Sequence, residues 1–196
     1  MKKIASPLFQ DLSEAELDTL AAAGHLRTRQ FAKHEVIFRA GSCVREIGIV
    51  LRGSVHIENL DLWGTKSILS SVGAGQAFAE TYAFCGEALM VDAVAAEHCE
   101  ILFLHTAAFT DARIEPALQD KLLRRLLAVS MRKNLSLSQR IFCTTPKTVR
   151  GRLLTYFSAQ AARCGRMEFE VPFNRQQMAD YLNLDRSALS KELCKM

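Results

Sequence analysis

The sequence has no long apolar run. Its N-terminal segment, MKKIASPLFQDLSEAEL, carries two lysines but no apolar stretch of about seven residues, the length that a signal peptide needs. Nowhere do about eighteen apolar residues follow one another, as a membrane-spanning helix requires. We therefore expect a cytoplasmic protein that has no membrane partner.

The sequence also lacks the spacings by which cysteine and histidine bind metals. Its six cysteines include no C-x-x-C pair and no histidine at zinc-finger spacing. Its five histidines include no His-x-His pair, which a metal-dependent enzyme of the cupin type would need. We therefore expect reduced thiols, no metal and no enzymatic activity. The cysteines are Cys43, Cys85, Cys99, Cys143, Cys164 and Cys194, and the histidines are His25, His34, His56, His98 and His105.

Charge is divided unevenly along the chain. Residues 1–112 hold 9 Lys/Arg against 14 Asp/Glu, net −5, whereas residues 113–196 hold 16 against 7, net +9. The modest overall charge of +4 is therefore the sum of an acidic N-terminal part and a basic C-terminal part. A compact basic region attracts a phosphate backbone, although a solvated basic surface has the same composition. Nucleic acid is one candidate partner.

The first half of the chain predicts one short helix followed by β-structure. Ser13 and Glu16 form a capping box at the start of a helix. Short β-rich runs then alternate with glycines, and LDLWGTKS predicts a hairpin tip at Gly64. Several such strands predict a closed or sandwiched all-β unit, because exposed strand edges would otherwise associate. The runs are EVIFRAG, EIGIVLRGSVHIE, TKSILSSVGAG and CEILFLH.

A long helix is predicted over about residues 116–142. Its length exceeds the globular average of about 11 or 12 residues, which favours a coiled-coil partner and hence a dimer. The alternative is a helix that lies on its own β-unit. The apolar residues at helical spacing are Leu118, Leu122, Leu126, Val129, Leu137 and Ile141.

The segment that follows predicts another helix and a short strand. Thr145-Pro146 is expected to begin the helix, with Thr as N-cap and Pro in the first turn, and Gly165 lies near its end. The alternating stretch MEFEVPF predicts a strand.

The last 23 residues, Asn174 to Met196, predict two helices joined by a tight corner. Asn183 is expected in a left-handed conformation at the corner, and Asp185 is expected to cap the second helix. Small Ala179 allows the helices to cross closely, which is typical of a helix-turn-helix. A generic helical hairpin is the alternative. Apolar Met178, Leu182, Leu184, Leu189 and Leu193 face inward, whereas Arg186, Ser187, Ser190, Lys191 and Cys194 face outward.

These segments together resemble the Crp/Fnr family of bacterial transcription regulators over nearly the whole chain. The resemblance is carried by FAKHEVIFRAGSCVREIGIVLRGSVHI and VGAGQAFAE in the first half, and by TPKTVRGRLLTYF and FNRQQMADYLNLDRSALSKEL in the second. It implies an α+β protein in three parts. These are a double-stranded, jelly-roll-like β-roll that senses an effector (1–112), a long dimerisation helix (113–142) and a winged helix-turn-helix (143–196).

The resemblance further implies a homodimer that binds a palindromic operator in double-stranded DNA and contacts RNA polymerase. Arg186, Ser187 and Ser190 match base-reading positions, Lys191 falls where an Arg is usual, and Arg175 and Arg150 match phosphate-contacting positions. Because the family usually has Glu at the position of Ser187, and Lys191 lacks a forked guanidinium, the operator is expected to differ from the usual half-site. The chain stops within the recognition helix, before the wing, so we expect a truncated sequence.

The effector region departs from members that bind cyclic AMP. Glu80 matches their ribose-binding Glu, but Met90, Val91 and Asp92 occupy the place of the phosphate-binding Arg-Ser pair. An apolar pair followed by a carboxylate would repel a cyclic phosphate, so cyclic AMP is not expected. The ligand patterns of the iron–sulfur and haem members are also missing, which leaves the cofactor unknown.

Two kinds of regulatory signal remain possible from the sequence. One is a small organic or anionic effector, and the other is a thiol signal involving Cys85 and Cys99. Pocket positions implied by the resemblance are Glu80, Tyr82, Phe84, Cys85, Val91, Asp92, Lys133, Leu137 and Ser138. A dimeric ligand-binding scaffold that does not read DNA is the alternative function.

Overall fold

A computed structural model describes residues 4–60 and 66–196. The chain divides into two compact units, which meet in sequence at Ser130 and Met131. Within the described residues, no helix combines the length and the apolar content needed to cross a membrane. The predicted hairpin tip at Gly64 lies outside the described residues.

The first unit contains two four-stranded antiparallel sheets. Their strand orders are β1-β8-β3-β6 and β2-β7-β4-β5. This arrangement agrees with the jelly-roll-like β-roll that was predicted. The strands are β1 (Leu26–Phe31), β2 (Val36–Phe38), β3 (Glu46–Arg52), β4 (Val55–Leu60), β5 (Lys66–Val72), β6 (Ala77–Phe78), β7 (Asp92–Ala95) and β8 (Cys99–His105). The helices are α1 (Glu14–Ala22), α2 (Glu80–Cys85) and the first part of α3 (Pro116–Thr144), with 3-10 turns at Pro7–Phe9 and Thr106–Phe109.

Each β-rich run of the sequence contains at least one observed strand, but three strands and one helix escaped prediction. β1 has four consecutive exposed residues between its ends, so its sequence carries little apolar alternation. β6 is two residues long and β7 is four, which is too short for a periodic pattern. α2 has only six residues, which is less than two full turns. These elements are held by tertiary pairing rather than by local sequence.

Two apolar cores lie on opposite faces of β3. Ile47 and Ile49 pack against α1 and the first part of α3 in one core. Val50 points into the interior of the roll, where the aromatic ring of Phe38 lies 5.7 Å from that of Phe78 and 5.6 Å from that of Phe103. β3 therefore forms a continuous apolar run because both of its faces are buried.

Gly48 is required where Phe78 crosses β3. A Cβ atom built at Gly48 would overlap the ring of Phe78. We expect Gly48→Ala to destabilise the first unit by about 1–3 kcal/mol, since a packed core cannot absorb the extra methyl without moving the ring. Chemical denaturation measures the change. Gly73→Ala is the matched control, because nothing lies within 4 Å of its added Cβ; equal effects of the two substitutions would contradict the packing argument.

The second unit consists of the end of α3 with α4 (Val149–Cys164), α5 (Arg175–Leu182) and α6 (Arg186–Lys195). Thr148, rather than Thr145, is the N-cap of α4, and its side chain accepts a hydrogen bond from the amide of Gly151. Thr145 instead continues the preceding turn, because its amide and its hydroxyl both donate to the carbonyl of Ile141. The prediction of the helix start was therefore wrong by three residues.

The strand predicted for MEFEVPF is also absent from the second unit as described. The burial of its side chains does alternate, since Val171 and Phe173 pack against the core of this unit. None of the second unit's described residues forms a strand that could pair with this segment, and an unpaired extended segment is not a β-strand.

α3 has two apolar sides, of which one is buried and the other is exposed. Leu118, Leu122 and Leu126 are buried in the core of the first unit, so this stripe lies on its own β-unit, as the alternative interpretation held. A second stripe is exposed and runs from Leu123 to Phe142, with the side chain of Leu135 72% exposed. Its large members are Leu123, Leu127, Met131, Leu135 and Phe142.

Candidate nucleic-acid interface and effector site

The paired helices α5 and α6 begin with strong caps. α5 opens with a capping box, in which the amide of Gln177 donates to Oδ1 of Asn174 at 2.9 Å and the amide of Asn174 donates to Oε1 of Gln177 at 2.9 Å. At the start of α6, Oδ1 of Asp185 accepts from the amides of Ser187 and Ala188 at 2.8 and 2.9 Å. The Ser187 hydroxyl and these amides lower the pKa of Asp185, so the cap is a carboxylate at neutral pH. The predicted cap is confirmed.

The corner between α5 and α6 is a left-handed residue within a Schellman motif. Asn183 has φ 52°, and its amide donates to the carbonyl of Asp180 at 3.3 Å. The amide of Leu184 donates to the carbonyl of Ala179 at 2.9 Å. Asparagine tolerates this conformation better than other residues with a Cβ, which explains its place here. The sequence prediction for Asn183 is confirmed.

The inner faces of the two helices share one small core. Met178, Ala179, Leu182 and Leu189 are buried there, with Leu184 and Leu193 packed at its margin. Tyr156 from α4 fills the centre, and burial raises the pKa of its phenol. Residues of α4, α5 and α6 therefore share one core.

The predicted DNA-contacting residues lie on three helices of this unit. Arg186, Ser187 and Lys191 are exposed on α6, whereas Ser190 is half-buried. Arg175 is exposed in the first turn of α5. The Ser187 hydroxyl donates its proton to Asp185, which leaves the lone pairs of its oxygen to accept from other donors.

Arg150 is brought next to α6 from α4. Its side chain is 61% exposed, and its Nη1 lies 3.8 Å from Oε1 of Glu192. α4 and α6 therefore lie close together at this pair.

Sequence reasoning missed two arginines that hold the end of α5. Arg140 of α3 donates to the carbonyls of Tyr181 and Asp180 at 3.0 and 2.9 Å. Arg152 of α4 donates to the carbonyls of Leu182 and Asn183 at 3.0 and 2.7 Å. The contacts of Arg140 with Tyr181 and of Arg152 with Asn183 span 41 and 31 residues of sequence, so local patterns contain no signal for them.

The effector region of the first unit begins at a strained residue. Ala79 has φ 61°, and α2 starts directly after it. Its successor Glu80, which matches a ribose-binding position of the resembled family, is 5% exposed. Residues with a Cβ pay about 1–2 kcal/mol to adopt this conformation, and such strain clusters at functional sites.

Relieving this strain should stabilise the protein. We expect Ala79→Gly to raise the free energy of unfolding by about 0.5–1 kcal/mol, because glycine adopts positive φ without a steric penalty. Ala83→Gly, inside α2, is the matched control and should lower the free energy of unfolding by about 1 kcal/mol. Chemical denaturation compares the two; a destabilising Ala79→Gly would mean that strain at this residue is not the dominant effect.

The other predicted effector residues of the first unit surround α2. Tyr82 is half-buried against the interior of the roll, whereas Phe84 packs edge-on against Phe109, with ring centroids 5.6 Å apart. Cys85 is exposed at the end of α2. Val91 and Asp92 are half-buried at the start of β7. Oδ1 of Asp92 accepts from the amide of Ala40 at 2.6 Å, so this carboxylate holds the loop that follows β2.

The remaining predicted effector residues, Lys133, Leu137 and Ser138, are exposed on α3 within the second unit. Cys99, the predicted redox partner of Cys85, is fully buried in the interior of the roll, and its Sγ donates to the carbonyl of Ser54 at 3.0 Å. A buried thiol of this kind is inert compared with an exposed one. In the part of the chain that the structure describes, no cluster of three or more His, Cys, Asp or Glu could hold a metal ion.

Comparison with known proteins gives one family match and several similar solved structures. Residues 28–113 match the cyclic nucleotide-binding domain family. The catabolite activator protein of Thermus thermophilus is 25% identical, with 97% of this chain and 86% of that chain covered and a TM-score of 0.54. Among curated proteins, none matches the chain significantly.

Two further solved structures share the fold at lower identity. A second protein of Thermus thermophilus, a transcriptional regulator of the CRP family, is 21% identical over 85% of this chain and 83% of that chain, with a TM-score of 0.50. A cyclic nucleotide-binding domain from Methylobacillus flagellatus is 20% identical over 71% and 78%, with a TM-score of 0.60. Residues 28–113 are thus a domain of the cyclic nucleotide-binding type, in a chain whose structural neighbours include transcription regulators.

Proposed function

We propose that this protein is a homodimeric transcription regulator that reads a palindromic DNA site and responds to an effector other than a cyclic nucleotide. The observation that carries the proposal is the pair of short helices α5 and α6, with its Asn183 corner and its Asp185 cap, which resembles a helix-turn-helix. Helices in this arrangement place the second helix in the major groove. In this chain the second helix is α6.

The exposed side chains of α6 and its neighbours suit such a role. Arg186 and Lys191 are exposed cations of α6, and Arg150 and Arg175 are exposed cations of α4 and α5. Arginine and lysine bind guanine edges and phosphates. The Ser187 hydroxyl donates its proton to Asp185, so its oxygen can accept a hydrogen bond from an amino group of cytosine or adenine. The winged part of the domain stays a prediction.

Dimerisation is supported by the exposed stripe on α3. Leu127, Met131, Leu135 and Phe142 are all large, apolar and about half exposed or more. A helix with such a stripe buries it against another helix, and a second copy of α3 would supply the matching surface. A two-fold dimer presents two copies of α6, which a palindromic site mirrors.

The effector region supports a ligand other than cyclic AMP. Met90, Val91 and Asp92 supply no cation for a cyclic phosphate, and Asp92 adds a negative charge. The interior of the roll is an apolar core that includes Phe31, Phe38, Phe78 and Phe103. RNA polymerase contact and the identity of the effector rest on the family resemblance alone.

Selection from a random duplex library tests the proposed function. The full-length protein is incubated with the library at two salt concentrations, and the retained DNA is sequenced. We expect an enriched palindrome at both concentrations. Retention that shows no enriched sequence and disappears with salt would indicate only a polyelectrolyte surface, and a dimeric scaffold would then be the better account.

Cyclic AMP should leave the stability of the protein unchanged. A ligand at about 100 times its dissociation constant stabilises a folded protein by about 2.7 kcal/mol, which thermal unfolding detects easily. Because the positions that would neutralise the phosphate are Met90 and Val91, we expect no shift of Tm with millimolar cyclic AMP. A concentration-dependent rise in Tm would contradict this prediction.

A further inference from the structure

The C-terminal end of α5 is held by side chains from two other helices. The guanidinium of Arg140 binds the carbonyls of Asp180 and Tyr181, and that of Arg152 binds those of Leu182 and Asn183. Four consecutive carbonyl oxygens at the end of the helix therefore accept hydrogen bonds from positive charges, and among the described residues only that of Asp180 also accepts from a backbone amide, that of Asn183. This is the end of a helix at which cations are favoured.

The two arginines differ in where they come from. Arg152 lies on α4, and its Nε also donates to the carbonyl of Pro146 at 2.8 Å, so it secures the fold within the DNA-binding unit. Arg140 lies on α3, the helix that carries the exposed apolar stripe. Its guanidinium also lies 5.9 Å from the ring centroid of Tyr181.

Arg140 and the apolar stripe lie on different sides of α3. Leu135 and Arg140 are five positions apart, which corresponds to about 140° around a helix of about 3.6 residues per turn. Phe142, a second member of the stripe, is about 160° away from Arg140 in the same direction as Leu135. One side of α3 can therefore meet a second copy while the other holds the end of α5.

We infer that Arg140 is a positioning residue, which sets the orientation of α6 for operator reading by tying the α5–α6 corner to α3. This inference rests on the proposed function. A rotation or shift of the last turns of α3 would move the Arg140 guanidinium, and with it the carbonyls of α5 and the corner that leads into α6. Arg140 would then couple the position of the last turns of α3 to the orientation of α6 in the major groove.

The experiment compares the operator enriched from the library with a scrambled duplex of equal length. Affinities of full-length wild type, Arg140→Ala, Arg140→Lys and Arg132→Ala are measured at a temperature at which thermal unfolding shows every variant folded. Arg132 is the matched control, because it is an exposed arginine of the same helix without a hydrogen bond or an ion pair to the described residues. The ratio of the two affinities reports positioning, which a purely structural role would not change in a folded protein.

We expect Arg140→Ala to lower the ratio about tenfold, since it removes two charge-assisted hydrogen bonds. Affinity for the scrambled duplex should change less than about twofold, and Arg140→Lys should be intermediate because lysine lacks the fork. Arg132→Ala should keep the ratio. A ratio within about twofold of wild type for Arg140→Ala, or an equal loss on both duplexes, would overturn the inference while leaving the proposed function intact. A wild type without preference for any sequence would overturn both, and the wild-type measurement alone identifies that outcome.

Discussion

Leu135→Glu is expected to convert the proposed dimer into a monomer and to weaken operator binding by a factor of about 100 or more. Leu135 is 72% exposed in the single chain, in the middle of the stripe on α3. In a dimer it would be buried against its symmetry mate, so the substitution would bring two carboxylates together at the centre of an apolar interface. Desolvating two unpaired like charges is strongly unfavourable.

The loss of DNA affinity follows from the loss of symmetry. Binding of the second half-site by a dimer is intramolecular and gains from a high effective concentration, which a monomer forfeits. Sedimentation equilibrium measures the oligomeric state, and fluorescence anisotropy measures operator affinity. Ser136→Glu is the control for the oligomeric state, since it adds the same charge one residue along, about 100° around the helix. A Leu135→Glu variant that stays dimeric would show that the stripe is not the interface.

The second large effect is expected from removing the cations of α6. Arg186→Ala and Lys191→Ala should each weaken operator binding by about 10- to 100-fold, because a base or phosphate contact is lost in both half-sites of a two-fold complex. A phosphate contact should also reduce the slope of log affinity against log salt by about one per half-site, whereas a base contact should relax sequence preference at one position of each half-site.

The control for charge is an exposed arginine of the first unit. Arg39→Ala removes one positive charge as Arg186→Ala does, but it lies in the loop that follows β2. We expect its operator affinity to remain within about twofold of wild type. Equal losses for Arg39→Ala and Arg186→Ala would mean that net charge, and not the position of α6, determines binding.

The parts of the fold that could be predicted from sequence are those with local causes. The Ser13–Glu16 capping box, the left-handed Asn183 and the Asp185 cap each depend on a side chain and the backbone within three residues of it. The β-rich runs were visible because their apolar residues alternate or run together. All of these features are observed.

The parts that could not be predicted depend on contacts between distant residues. β1 pairs with β8 although its own residues are mostly polar and exposed, and α2 packs against β3 with Ala83 in the core. Which stripe of α3 lies on the β-unit could not be decided, because both stripes have helical spacing. The start of α4 was placed at Thr145 on a local Thr-Pro signal, whereas the backbone continues the turn of α3 to that residue.

The candidate site shows the same division. The exposed cations of α6 follow from helical spacing alone, so Arg186 and Lys191 were found in the sequence. Arg140 and Arg152 were not, because their partners are backbone carbonyls that any residue could provide. The strain at Ala79 could not be predicted either, because alanine is not a residue type that indicates a positive φ.

The spacing of the two half-sites decides whether the protein reads DNA as a symmetric dimer through α6. A two-fold dimer that inserts α6 into successive major grooves needs half-site centres about 10–10.5 base pairs apart, on one face of the duplex. Inserting about five base pairs at the centre of the enriched palindrome turns one half-site to the opposite face. We expect anisotropy titration of the full-length protein to show a loss of affinity of about 100-fold or more. Unchanged affinity for the lengthened site would contradict the claim that the protein reads DNA as a symmetric dimer through α6.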